Sequence, residues 1–260
     1  MNKIQRLGLG LITASVSTLM LTEVALADVD ENFSKRYPFD NKGVISVENI
    51  NGKIEIEGWD EDEILLEYTI TADDKDGLER INVDVDVSDS RFSVDVDFSS
   101  QKKGWFSWGG SSSGEVEFRL KVPSQAFLKG IDSVNGNINI EKVLGEIKAE
   151  TVNGRIVIEN AGSDVSTDTV NGNIKIVMDR FSGSQRIKGE SVNGDIVVYL
   201  PANGGFRLNA ETLNGDLAND FGIEVDEGEY VGAEMSGRYK DGDGRLSFDT
   251  VNGDIEVKQR

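Results

Sequence analysis

The sequence predicts an all-β fold, a repetitive parallel β-solenoid of 18 to 22 residue coils preceded by an N-terminal β-hairpin or cap region, on three observations. Asn-Gly recurs at Asn51-Gly52, Asn135-Gly136, Asn153-Gly154, Asn171-Gly172, Asn193-Gly194, Asn214-Gly215 and Asn252-Gly253, nearly always within Ser/Thr-Val/Leu-Asn-Gly-x-Ile/Leu-x-aliphatic. From Asn135 the separations are 18, 18, 22, 21 and 38 residues, and the last fits two turns with one degenerate copy. After each pair the aliphatics alternate with period two, as in Ile138 and Ile140 or Ile156 and Ile158, which is the spacing of strands and not of helices.

Asn-Gly supplies positive φ with little strain, so it either closes a hairpin or turns a corner between strands of a coil. The coil is preferred, because stacking sets like residues above one another every ~4.8 Å, with Ile rows inside and Asn side chains free to form amide ladders at the corner. An antiparallel meander would need no such identity between units. Asn203-Gly204 lacks the flanking pattern and reads as an ordinary turn.

In chain order, residues 1–27 read as a Sec-type signal peptide: Lys3 and Arg6, an apolar stretch from Leu7 to Leu21, then Ala25-Leu26-Ala27. The apolar run is short for a span, and no later segment is apolar enough to cross a bilayer. Residues 28–125 form an N-terminal β region that starts or caps the solenoid. Within it, 44–56 is a first, isolated copy of the repeat, and strands are expected at 64–70, 81–87, 92–98 and 115–122. The 81–87 and 92–98 strands read as a hairpin. Residues 126–260 are the repeat array.

Composition removes many functions. Lys plus Arg number 27 against 47 Asp plus Glu, for a net charge of -20. That disfavours nucleic acid and anionic surfaces, which demand basic footprints. Cys and His are both absent, so disulfides, thiolate nucleophiles, His bases and most zinc or copper ligand sets are absent too. No cofactor and no metal are expected. Asp84, Asp86, Asp95 and Asp97 alternate on two strands and read as a solvated outer face, since calcium needs oxygens converging from loops. An EF-hand around Asp74, Asp76 and Gly77 fails at its first and twelfth positions, Ala72 and Val83. Carboxylate pairs for glycoside hydrolysis can be imagined anywhere in so acidic a chain, but the repeats reveal no specialised coil.

One loop stands out. Lys102, Lys103, Trp105, Phe106 and Trp108 put aromatics beside cations in an acidic chain, a combination suited to a sugar, a membrane interface or a protein partner.

The single Asn-Gly with Gly58-Trp59, the acidic strand pair, the stretch from Phe118 to Pro123 (FRLKVP) and the serial TVNG units together resemble the bacterial putative-adhesin family, also called the toast-rack domain. The resemblance covers about residues 40–258. It implies an all-β, solenoid-like domain of exported or surface-facing envelope proteins, with no catalytic residues to carry over. The expectation is therefore a non-enzymatic exported envelope protein, adhesin or scaffold, with an envelope protein or glycan as partner. The alternative is a polysaccharide-active or polysaccharide-binding protein. Periplasmic release is the expected destination, with surface display or secretion as alternatives. The chain shows neither a Leu-Pro-x-Thr-Gly sorting tail nor the terminal aromatic of an outer-membrane barrel strand.

Overall fold

The computed structural model describes residues 28–98, 114–181, 184–227 and 232–260. The expected signal peptide and the aromatic loop at 102–108 lie outside these residues.

Two sheets face one another across an aliphatic interior, and each coil gives one strand to each sheet. The repeat Ile147–Asn153 (β10) and Ile156–Ala161 (β11) shows how. Ile147, Ala149 and Thr151 point inward from one sheet, Ile156 and Ile158 from the other, and all are buried. Between the two strands the chain turns at Asn153-Gly154. The same plan holds for Phe127–Asn135 (β8) with Ile138–Glu141 (β9), Val165–Asn171 (β12) with Ile174–Met178 (β13), and Arg186–Asn193 (β14) with Ile196–Leu200 (β15). These coils pair in parallel and in sequence order, with Asn153 opposite both Asn135 and Asn171. The interior alternation reflects period-two burial, and the parallel pairing excludes the meander.

At both ends the stacking order departs from the chain order. The first repeat, Val44–Asn51 (β2) with Ile54–Trp59 (β3), is not isolated: Asn51 lies opposite Asn135, and Ile54 opposite Ile138. Its other side is covered by Arg91–Phe98 (β6) and Gly114–Pro123 (β7), also parallel. Glu63–Ala72 (β4) then adds antiparallel to β7, Val29–Pro38 (β1) to β4, and Ile81–Ser88 (β5) to β6. A single turn of helix, Lys75–Leu78 (α1), capped by Asp74, occupies the segment tested above as an EF-hand.

The C-terminal end repeats the device. After Phe206–Asn214 (β16) and Leu217–Asn219 (β17), the chain makes two antiparallel strands, Val225–Glu227 (β18) and Ala233–Tyr239 (β19), the latter paired to β16. The final repeat, Gly244–Asn252 (β20) with Ile255–Gln259 (β21), then threads back between β14/β15 and β16/β17. The 38-residue separation thus holds a cap and a return, not two turns with a degenerate copy. Antiparallel caps give the outermost parallel strands a partner, and the remaining edges are short, as in β17 and β18, or charged, as in β1 and β5.

The interior is aliphatic along the stack and aromatic at its ends. Phe206, Phe221 and Tyr239 pack edge-on or tilted at 4.8 to 5.5 Å between ring centroids at one end. At the other, Phe33 stacks on Tyr68 at 4.8 Å and Tyr68 packs tilted against Phe118 at 5.7 Å. Large rings close the ends where no further coil supplies a neighbour.

Candidate functional site

Each residue of the Ser/Thr-Val-Asn-Gly corner has a separate task. At five corners the hydroxyl points inward and donates to the carbonyl of a corner glycine in a neighbouring coil: Thr151 to Gly136 at 3.2 Å, Thr169 to Gly154 at 3.3 Å, Ser191 to Gly172 at 3.2 Å, Thr212 to Gly253 at 2.9 Å, Thr250 to Gly194 at 3.1 Å. The Asn side chains form a ladder. Asn214 donates to Asn252, Asn252 to Asn193, Asn193 to Asn171, Asn171 to Asn153, Asn153 to Asn135, and Asn135 to Asn51, all at 2.8 or 2.9 Å. Asn51 ends the series on the carbonyl of Gly114 at 3.2 Å.

The glycine is needed for closeness more than for φ. Gly136, Gly154 and Gly172 have no positive φ, and Gly194, Gly215 and Gly253 are nearly extended at +157° to +159°. A Cβ on Gly154 would fall 2.0 Å from the carbonyl oxygen of Gly136, and one on Gly172 would fall 1.9 Å from that of Gly154. The positive-φ expectation therefore holds clearly only at Gly52 (+111°).

Facing outward, three residues before each Asn stands a carboxylate. In-register pairing carries this series across the whole eleven-stranded sheet: Asp226, Glu234, Glu211, Asp249, Glu190, Asp168, Glu150, Asp132, Glu48, Asp95 and Asp84, one from every strand. Asp84 and Asp95, read as a solvated face, are the last two members. Asp86 and Asp97 are exposed on the same strands but outside the row. One residue before each Asn runs a parallel row of aliphatics: Ile50, Val134, Val152, Val170, Val192, Val251 and Leu213, 37% to 51% exposed. From Asp132 toward the C-terminal end the two rows line a groove of about 910 Å³, to which Asp226, Ala233 and Glu234 of the cap also contribute.

Burial, and then the crowding of like charges, disturb this row. Burial, and then a hydrogen bond to Glu190, push Asp168 up to about 6. Burial raises Asp132 and Asp249, and the charge of Asp95 raises Glu48. Glu190 is instead lowered, because Lys188 binds it at 2.6 Å, and Lys148 holds Glu150 at 2.7 Å. The opposite sheet differs. There Glu55 meets Arg119 at 2.9 Å, Glu57 meets Lys142 at 3.0 Å and Glu159 meets Lys175 at 2.6 Å, so signs alternate. The single-signed row belongs to one face.

The structure thus brings all seven Asn-Gly pairs into one line. Lys102, Lys103, Trp105, Phe106 and Trp108 fall outside the described residues. The sequence reading missed the carboxylate and aliphatic rows, although the signal was present: Glu48, Asp132, Glu150, Asp168, Glu190, Glu211 and Asp249 each precede a repeat Asn by three. Among the described residues no group of three or more Asp or Glu is placed to hold a metal ion, and no helix is long and apolar enough to cross a membrane.

A family model described as Toastrack DUF4097 matches residues 45–258. No curated protein matches the chain. Among solved structures, a putative cell adhesion protein from Clostridium sporogenes is 17% identical with a TM-score of 0.49, covering 89% of this chain and 100% of its own. A putative adhesin from Bacteroides fragilis is 12% identical with a TM-score of 0.37, covering 88% and 97%. A putative lipid binding protein from Parabacteroides distasonis is 13% identical with a TM-score of 0.30, covering 87% and 96%.

Proposed function

The chain belongs to the Toastrack DUF4097 family, and we propose that it is an exported, non-enzymatic adhesin or scaffold of the cell envelope that works through the outer faces of its coils. One observation carries this reading. A groove of about 910 Å³ is lined mainly by equivalent residues of successive coils, so the same chemistry recurs along its length. Repetition suits extended or multivalent contact. Catalysis instead needs one acid, base or nucleophile set apart from its neighbours, positioned around a reacting atom.

Export is supported by the leader-like pattern of residues 1–27, and periplasmic release is its simplest outcome. The loop bearing Lys102, Lys103, Trp105, Phe106 and Trp108 would add a second, aromatic contact.

Co-sedimentation of the purified chain from Asp28 with cell-envelope fractions tests the reading, and retention with no release of reducing or unsaturated ends from envelope glycans is the expected result. Deleting residues 104–110 should weaken that retention without unfolding the stack. Glycan cleavage would overturn the non-enzymatic reading, and loss of all retention would overturn the envelope role.

A further inference from the structure

We propose that the eleven-stranded face binds a cationic amphipathic α-helix laid along the stack, its apolar stripe on the aliphatic row and its Lys/Arg stripe on the carboxylate row. This deepens the reading above and rests on this face being a contact surface.

The aliphatic row is the first reason. Of the eight large hydrophobic residues exposed among the described residues, seven stand in this one line, the eighth being Leu144. An outward strand position carries no demand for an apolar side chain, and Thr, also β-branched, would serve the strand as well as Val. Exposed apolar residues gathered into one stripe mark a contact surface, whereas scattered ones do not.

Charge selects the partner. The row beside the stripe is acidic throughout, and Lys148 and Lys188 reach only Glu150, Glu190 and Asp168. Burial chiefly raises Asp132, Asp168 and Asp249 and neighbouring carboxylates add to it; a cation-bearing partner would relieve that added repulsion, while an anionic one would increase it.

Geometry selects the helix. The rows run across the strands, so their members repeat every ~4.8 Å, close to the ~5.4 Å pitch of an α-helix. Adjacent stripes on one helix can meet both rows at once. An extended peptide along the same line presents like-facing side chains every ~6.8 Å and turns the alternate ones away, so it would serve a single row. A polyamine or disordered polycation would use the carboxylates alone. Six intervals of the aliphatic row span ~29 Å, which ~19 helical residues would cover.

The test uses the purified chain from Asp28 and a synthetic 19-residue Leu/Lys peptide with Leu and Lys on adjacent helical stripes. A scrambled peptide of identical composition and spermine serve as comparators. The striped peptide should bind at least about tenfold more tightly than the scrambled one and gain helicity by circular dichroism on binding. Val152→Ser, Val170→Ser and Val192→Ser together should abolish that preference. Glu150→Gln, Glu190→Gln and Glu211→Gln together should weaken both peptides, with a shallower salt dependence. Equal affinity for the two peptides, binding without added helicity, or an unchanged preference in the serine variant would each overturn the proposal. Should the serine variant fail to fold, the peptide comparison and the glutamine variant still decide. Because only purified components enter, peptide binding without envelope retention would sink the envelope role and leave this site standing, and the converse would separate them the other way.

Discussion

Asn252 donates its side-chain amide to Asn193 at 2.8 Å, across 59 residues of sequence, and receives a bond from Asn214 at 2.9 Å. The last repeat of the chain is therefore not the last of the stack. It is held on both sides by coils that precede it, which gives the C-terminal segment a structural weight that a terminal coil would lack.

Removing residues 244–260 should expose that dependence. In a stack built in chain order, loss of the last coil leaves the others intact. Here it would leave β16 and β17 without their parallel partners, cut them and the attached β18 and β19 off from the stack, and uncover β14 and β15. Hydrogen exchange should show lost amide protection from β14 through β19, with β8 to β11 preserved. Unchanged protection at β16 would count against the threaded order.

Asn171→Ala removes two rungs at once, its bond to Asn153 and the one it accepts from Asn193. These groups are exposed, so water replaces part of the loss, and the expected cost is ~1–2 kcal/mol in chemical denaturation. Asn171→Asp should also destabilise, because a carboxylate still accepts from Asn193 but cannot donate to Asn153, and sets an anionic oxygen against the Asn153 carbonyl oxygen.

Gly172→Ala should be worse than either. Its Cβ would meet backbone 1.9 Å away, with no flexible side chain to yield. Coils would have to separate, and the expected loss is ~2 kcal/mol or more. Gly222, at φ +71° with nothing near its Cβ position, is the control: Gly222→Ala meets only the left-handed backbone penalty of about 1 kcal/mol. Equal effects at the two sites would refute the close-approach explanation.

Asp168 ties stability to pH. Its value of about 6 in the folded chain exceeds the ~3.9 of an unfolded Asp. Between the two the folded state binds more protons, so stability falls as pH rises through that window. Raised Asp132, Asp249 and Glu48 act in the same sense, and lowered Glu190, held by Lys188, opposes them. Melting temperatures between pH 4 and 7 should decline less steeply in Asp168→Asn than in the parent chain. A parallel decline would show that Asp168 is not the source.

Much of the architecture was legible beforehand. Ile156 and Ile158, Ile174 and Ile176 announce strands with one buried side, and Asn-Gly marks where each turns. The corner also hinted at its ladder, because identical amides repeat at coil spacing. The role of glycine was misjudged, since the need for it arises from a carbonyl of the neighbouring coil that no local reading contains. The carboxylate row was overlooked in a different way. Each member was visible three residues before an Asn, but an acidic residue on an outward strand position reads as solvation until register shows eleven of them in one line.

By itself the sequence determined the period, the corner chemistry and the side of each strand that faces the interior, because these are properties of neighbours along the chain. Only the tertiary structure decided the order of the coils, with β2/β3 and β20/β21 slipped inside the two ends. Repeats so alike in sequence carry matching aliphatics and amides, so any could stack on any other. The choice among them is made by end caps, connecting lengths and aromatic closure, which act between segments distant in the chain.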